Sequence, residues 1–428
     1  MIKRVFLILF VCVATLCNAT HISVKVASSP EILYVASYYG RGFTVLDSLV
    51  MSDGEAVWAP VNRLDEGIYF LTDAEQTGRF DFLLGSDQDF EIQLNSFESN
   101  VAWIRGAEES ELFWAYQKLV QNKYRSREEK VAYTRSLLDK ATDGSMLQLV
   151  LNAMLPVVPQ DEDVIEDSFR FWDNYDLSDK RLVRTPFFAQ RIDYYLRREL
   201  PQRQDVIMAG MLPLLAKAEQ DDEVLKLVAT TALNYAVENT IMGIDALGYE
   251  VISRYYLSGR FGVLPQRQLD MLNDYVKHTV NCRVGHKGKD IIVNALEKEK
   301  GQVSLYAVDA PYVLLLFWEP DCDYCKRLVP SLRDGVLAKY HNQGLRVFAV
   351  NTQNDYDKWK NYVVDNELFD WCHGYLSNSG SACMTDYGVQ GTPFMYILDN
   401  ENKIIAKNVS LEHLDMMLDR LFSLGSIY

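Results

Sequence analysis

The chain has 428 residues, 48% of them apolar and 24% charged, with a formal net charge of −16. That length supports two or three packed domains, and the composition excludes a disordered or fibrous chain. The acidity excludes nucleic acid as the main partner and disfavours an anionic membrane surface, since no basic excess is present to neutralise phosphates.

At the start, Lys3 and Arg4 precede an apolar run from Val5 to Leu16, and "CNA" then puts small residues at Cys17 and Ala19. This order is that of a secretory signal peptide, residues 1–19, cleaved after Ala19. Bulky Leu16 ahead of Cys17 disfavours lipidation of that cysteine. Without Lys3 and Arg4 the charge is −18. No later segment reaches the roughly 18 uninterrupted apolar residues that a membrane span needs. The expectation is a protein of the periplasm or cell envelope with no span in its mature chain. Thiols in an oxidising compartment tend to pair. Five cysteines follow the leader, Cys282, Cys322, Cys325, Cys372 and Cys383. The odd number leaves at least one without an intrachain mate.

Residues 20–105 alternate, with many aromatic and β-branched side chains. "ILYVASYYGRGFTVLDSLV", "EAVWAPV", "GIYFLTD", "FDFLLG" and "FEIQL" read as short strands, with Ser52-Asp53-Gly54 as a hairpin turn. The expectation is a small antiparallel β domain. Across residues 106–282 the apolar period becomes three and four, as in "DDEVLKLVATTALNYAVENT", and predicts an all-α region. Thr185-Pro186 and Leu200-Pro201 punctuate it.

Residues 283–428 alternate between strand and helix patterns. "GHKGKD", Gly285 to Asp290, lacks phosphate-loop spacing and reads as a linker turn. "YVLLLFW" has the continuous apolar character of a buried central strand. A helix follows from Cys322 to about Asn342, with Pro330 as a kink. "LRVFAVNT" is a second buried strand, followed by the amphipathic "YDKWKNYVVDNELF". "FMYILDN" and "KIIAKNV" are two further strands, and a helix from Leu411 to Leu424 closes the region.

The chemistry concentrates in "FWEPDCDYCKRLVPSL". Cys322 falls at a helix N-terminus, where unpaired backbone N–H groups and the helix dipole favour a thiolate. Cys325, one turn on, can displace a mixed disulfide formed by Cys322. About seventy residues later, "GVQGTPFMYILD" carries Thr392-Pro393 into a strand, a poor place for Pro unless the bond is cis. Backbone beside such a turn could hydrogen-bond an extended substrate segment.

These stretches, in this order and spacing, resemble the TlpA/ResA branch of the thioredoxin-like proteins. The resemblance implies an α/β thioredoxin fold from residue 283 and exported thiol–disulfide exchange within the envelope. It implies Cys322 as attacking thiol, Cys325 as resolving thiol, and Pro393 as the cis-proline behind which Thr392 meets substrate. The partners implied are disulfide-containing protein substrates and an upstream redox partner, with no dissociable cofactor. The upstream zones resemble the small β domain and uncharacterised helical domain that precede such thioredoxins in bacterial envelope proteins.

Several positions depart from the family pattern. Leu316 occupies the place of a buried acid that serves as proton acceptor for the second cysteine in many relatives, and Asp355 is the substitute candidate. Asp321 and Asp323 flank the nucleophile, and like charge disfavours its ionisation. If the acids prevail over Lys326 and Arg327, the pair favours reductase or isomerase work over oxidation. Trp318 reads as support for the active site. Cys372 and Cys383 are candidates for a structural disulfide. A zinc site from Cys322, Cys325, Cys372, His373 and Cys383 lacks a second tight knuckle, and no metal is expected. The rival from another class is an envelope-binding scaffold whose thioredoxin part holds a static disulfide.

Overall fold

The computed structural model describes residues 19–425 except 29, 77, 98–101, 158–163, 298–300 and 377–380. The expected signal peptide lies, up to residue 18, outside the described residues. The chain divides into two compact units. One comprises residues 1–199 and 213–228, the other residues 200–212 and 229–428.

The first unit opens with eight strands. They are β1 (His21–Val26), β2 (Ile32–Tyr39), β3 (Gly42–Val50), β4 (Glu55–Trp58), β5 (Gly67–Thr72), β6 (Arg79–Leu84), β7 (Asp89–Leu94) and β8 (Ala102–Arg105). They form two four-stranded sheets, ordered β4-β1-β7-β8 and β3-β2-β5-β6. Alternate residues of both, among them Ile22, Val24, Val35, Leu71, Phe82 and Ile92, fill one apolar core. Asp53 and Gly54 both take positive φ, as a two-residue turn between β3 and β4 requires. All pairings are antiparallel except β1 with β7, whose connection runs through the other sheet.

Helices follow: α1 (Glu108–Gln121), α2 (Arg127–Leu138) and α3 (Met146–Met154). Ser126 caps α2 by accepting from the Glu129 N–H, while the Glu129 side chain accepts from Ser126.

In the second unit, α4 (Asp245–Val251) and α5 (Gln266–Thr279) precede seven strands. These are β9 (Ile292–Ala295), β10 (Gln302–Ser304), β11 (Tyr312–Trp318), β12 (Leu345–Asn351), β13 (Cys372–Tyr375), β14 (Phe394–Asp399) and β15 (Ile404–Lys407). Their order is β10-β9-β13-β12-β11-β14-β15. Central β11 is parallel to β12 and antiparallel to β14. Its side chains alternate between two cores. Leu314, Leu316 and Trp318 face one, and Val313, Leu315 and Phe317 the other. Both faces are covered, which is why its sequence is uniformly apolar.

Three features add to the pattern predicted from the sequence. The segment expected as a linker turn is strapped to the sheet: Gly285 N–H donates to Ile404 O at 2.8 Å and Ile404 N–H to His286 O at 2.8 Å. Strands β9 and β10 extend the sheet beyond β13. Short β13 is interior, and a Cβ on its Gly374 would stand 2.1 Å from Val293 Cγ2, so only glycine lets β9 close on it. After Pro330 the helix widens to π geometry over Leu332–Leu337, since proline offers no N–H to the ladder. Among the described residues no helix is long and apolar enough to cross a membrane.

Candidate functional site

Strand β11 ends at Trp318, and four residues on, Cys322 is the N-cap of α6 (Asp323–Ser331). Its Sγ accepts from the Cys325 backbone N–H at 3.2 Å, one of the donors that a helix start leaves open. The thiol also lies 3.3 Å from the carbonyl oxygen of Thr392, and the Thr392-Pro393 bond is cis. Two segments about seventy residues apart thus meet at one sulfur, as the sequence motifs predict. Cys322 is half-buried and Cys325 fully buried.

The two thiols titrate in opposite directions. Partial burial works against ionisation of Cys322. Hydrogen bonds from the Cys325 thiol and N–H, the Thr392 side chain and the Tyr324 N–H outweigh it and hold the thiol below its ordinary range. Burial, followed by the neighbouring Cys322, pushes Cys325 up to about 12. At neutral pH the accessible sulfur is therefore the nucleophile and the buried one keeps its proton.

This polarity makes a pH prediction. Below the Cys322 pKa two protons accompany reduction of the pair, and above it only one. The potential should fall with pH by about 59 mV per unit at first and by about 30 mV per unit beyond the Cys322 pKa. A second break should come only near 12, where Cys325 ionises. Equilibration against glutathione across the pH range checks this, and a first break at or above the ordinary thiol value would contradict a depressed Cys322.

The flanking acids act differently from the expectation. Asp321 accepts from Gln353 Nε2 at 2.6 Å and is paired with Lys358, and these bonds hold its carboxyl below the usual carboxylate range. Asp323 is exposed and pairs with Lys326 at 3.5 Å. Each acid carries its own cation, so their charges do not dominate the sulfur, and the Cys322 thiol is lowered rather than raised. Gln353 and Lys358 act here through Asp321. Neither was legible in the sequence, because they come from the bend that follows β12 and from α7 (Tyr356–Asp365).

Asp355 is exposed and caps α7, accepting from the Lys358 N–H at 3.1 Å. The side chains grouped with Cys325 are instead Leu316, Trp318 and, at the edge, Tyr362. Trp318 is fully buried with its ring 5.1 Å from that of Tyr362. Burial beside Cys325 holds the Tyr362 phenol above its usual range. Tyr362 had no sequence signal beyond its place on an amphipathic helix.

The bridge expected between Cys372 and Cys383 is not formed, and all five described cysteines are thiols. Burial, followed by Asp386, pushes the Cys383 thiol up to about 11, which keeps it protonated and a poor nucleophile. Cys282 is 2% exposed and its thiol donates to His278 O at 3.1 Å. Among the described residues no three His, Cys, Asp or Glu side chains converge as metal ligands.

A sheet with a Cys-x-x-Cys helix start facing a cis-proline turn defines a thioredoxin-like domain, with a fold of the thiol–disulfide oxidoreductase type. A family of thioredoxin-like sequences matches residues 310–404. No curated protein matches the chain. Similar solved structures include a thioredoxin-like protein from Bacteroides caccae, 17% identical over 62% of this chain and 97% of that one, with a TM-score of 0.45. A domain of a possible thiol-disulfide isomerase from Cytophaga hutchinsonii is 26% identical over 33% of this chain and 95% of its own, with a TM-score of 0.31. A thiol:disulfide interchange protein from a Bacteroides species is 23% identical over 34% and 95%, also at 0.31.

Proposed function

We propose that the protein is an exported thiol–disulfide oxidoreductase of the TlpA/ResA type that acts on disulfide-bearing proteins of the cell envelope. The opposed titration of Cys322 and Cys325 carries this reading. The Cys322 thiolate attacks one sulfur of a substrate disulfide. That S–S bond breaks, a Cys322–substrate disulfide forms, and the released substrate sulfur takes up a proton. Cys325 then loses its proton and attacks the Cys322 sulfur. The enzyme becomes an internal disulfide and the substrate a dithiol, so the two electrons pass to substrate. An upstream dithiol partner must restore the pair.

The reducing or isomerising direction fits the way the thiolate is held. Neutral hydrogen bonds lower Cys322, while Lys358 and Lys326 are paired with Asp321 and Asp323. Strong oxidants need a far more stabilised thiolate. Support also comes from the Thr392 carbonyl, 3.3 Å from the nucleophile, since backbone beside that turn would hydrogen-bond an extended substrate segment.

Replacing Cys325 with Ala removes the resolving step. The variant should accumulate mixed disulfides with partner proteins, seen as bands on non-reducing gels that vanish on reduction. Absence of such bands would favour the scaffold alternative, in which the thioredoxin part takes no part in exchange.

A further inference from the structure

Beside the redox pair runs a groove of about 440 Å³ between α6, the start of β14 and the loop leading into α8 (Leu411–Leu424). Leu328, Pro393, Met395, Val409 and Leu411 give it an apolar floor. Met395 and Val409 are almost wholly buried, so the floor is set by the packed core. Tyr324 and Arg327, both on the helix that Cys322 caps, form one wall. Tyr324 is 69% exposed, an unusual state for so large an aromatic, and the Arg327 guanidinium lies over its ring at 4.7 Å. Among the described residues Arg327 has no carboxylate partner, although the chain is strongly acidic and most nearby cations are paired.

We propose that Tyr324 and Arg327 select the substrate: the groove takes an extended segment of a protein carrying an aromatic or large apolar side chain and a carboxylate close to its disulfide. The inference rests on the redox reading above and names the class of polypeptide on which that site acts. Three observations support it. Pro393 belongs both to the turn that meets Cys322 and to the groove, so a chain bonded to Cys322 continues directly into it. The floor offers apolar surface whose desolvation favours an apolar side chain. Arg327, planar and already fixed over Tyr324, presents donors suited to a carboxylate, whereas a basic segment would meet like charge. Asp321, before the cysteine motif, and Asp323, inside it beside Tyr324, are each matched by a lysine, which leaves Arg327 for a carboxylate of the substrate.

The test uses the mature chain, reduced, with three disulfide-linked peptides of equal length. One places Asp and Phe next to its cysteine, one Lys and Phe, and one Asp and Ser. Each rate is divided by that of the same protein with hydroxyethyl disulfide, which is too small to fill the groove, so that changes in Cys322 reactivity cancel. The Asp–Phe peptide should react roughly fivefold or more faster than the Lys–Phe peptide, as one attractive against one repulsive surface pair implies. It should also outpace the Asp–Ser peptide. Arg327→Glu should invert the charge preference, Arg327→Gln should flatten it, and Tyr324→Ala should erase the preference for Phe. Equal rates for the three peptides with the natural chain, or a charge preference that survives both Arg327 variants, overturn the proposal while the redox reading stands. Failure to react with hydroxyethyl disulfide as well as with every peptide sinks the redox reading and this inference with it.

Discussion

Replacing Cys322 with Ser should abolish disulfide reduction, lowering the rate by at least about a thousandfold. A serine hydroxyl stays protonated at neutral pH, and its oxygen forms no disulfide. Cys325 cannot take over. It is fully buried, and burial, the largest cause that raises its thiol, persists without Cys322 and keeps it protonated and out of reach. The loss should leave the fold intact, because Cys322 is half-buried and its sulfur caps the helix by accepting from the Cys325 N–H. Serine, among the preferred capping residues, keeps that bond. Turnover of a protein disulfide, measured beside the far-ultraviolet circular dichroism of both forms, checks this. Residual turnover above a tenth of the natural rate would mean that another sulfur carries the first attack. Cys325→Ala should behave differently, because it keeps the first attack and loses the second.

The parts of this site that sequence revealed are those whose cause is local. A cysteine at an N-cap, a second one turn later and a Thr-Pro entering a strand are constrained within a few residues. The structure duly brings Cys322, Cys325 and Thr392 together. The continuous apolar run of β11 likewise announces a strand covered on both faces. What escaped depends on distant segments. The charges of Asp321 and Asp323 could be counted, yet whether they act on Cys322 depended on Lys358 and Gln353, more than thirty residues away. Asp355 was a reasonable proton acceptor by position, but its helix uses it as a cap. Strand β13 was missed because its four residues contain a glycine that weakens any strand pattern, and that glycine is required by the approach of Val293. The proximity of Cys372 and Cys383 in sequence said nothing of their burial, which keeps at least Cys383 protonated.

A second large effect is expected well away from the redox pair, where α4 and α5 join the sheet. Lys407, on edge strand β15, extends its ammonium to the carboxylate of Asp245 at the start of α4 and donates to Cys282 O at 3.2 Å. Its side chain is only 12% exposed and that of Asp245 25%. Replacing Lys407 with Met should destabilise this junction by about 2–3 kcal/mol, because a poorly solvated carboxylate and a backbone carbonyl lose their donor together. Asp245→Leu should have an effect of similar size by leaving the ammonium unmatched. The double variant should be markedly less destabilised than the sum of the two, since a well-packed apolar pair leaves no charge to be solvated. Chains with more than one compact unit need not unfold in a single step, so a local probe is required. Cys282 supplies one. It is 2% exposed beside this junction, and its labelling by a small thiol reagent reports the opening of α5 from the sheet. Each single variant should label Cys282 roughly thirtyfold or more faster than the natural chain, as 2 kcal/mol implies, with the double variant in between. Strictly additive effects, or singles indistinguishable from the natural chain, would reduce the Lys407–Asp245 contact to an ordinary surface pair.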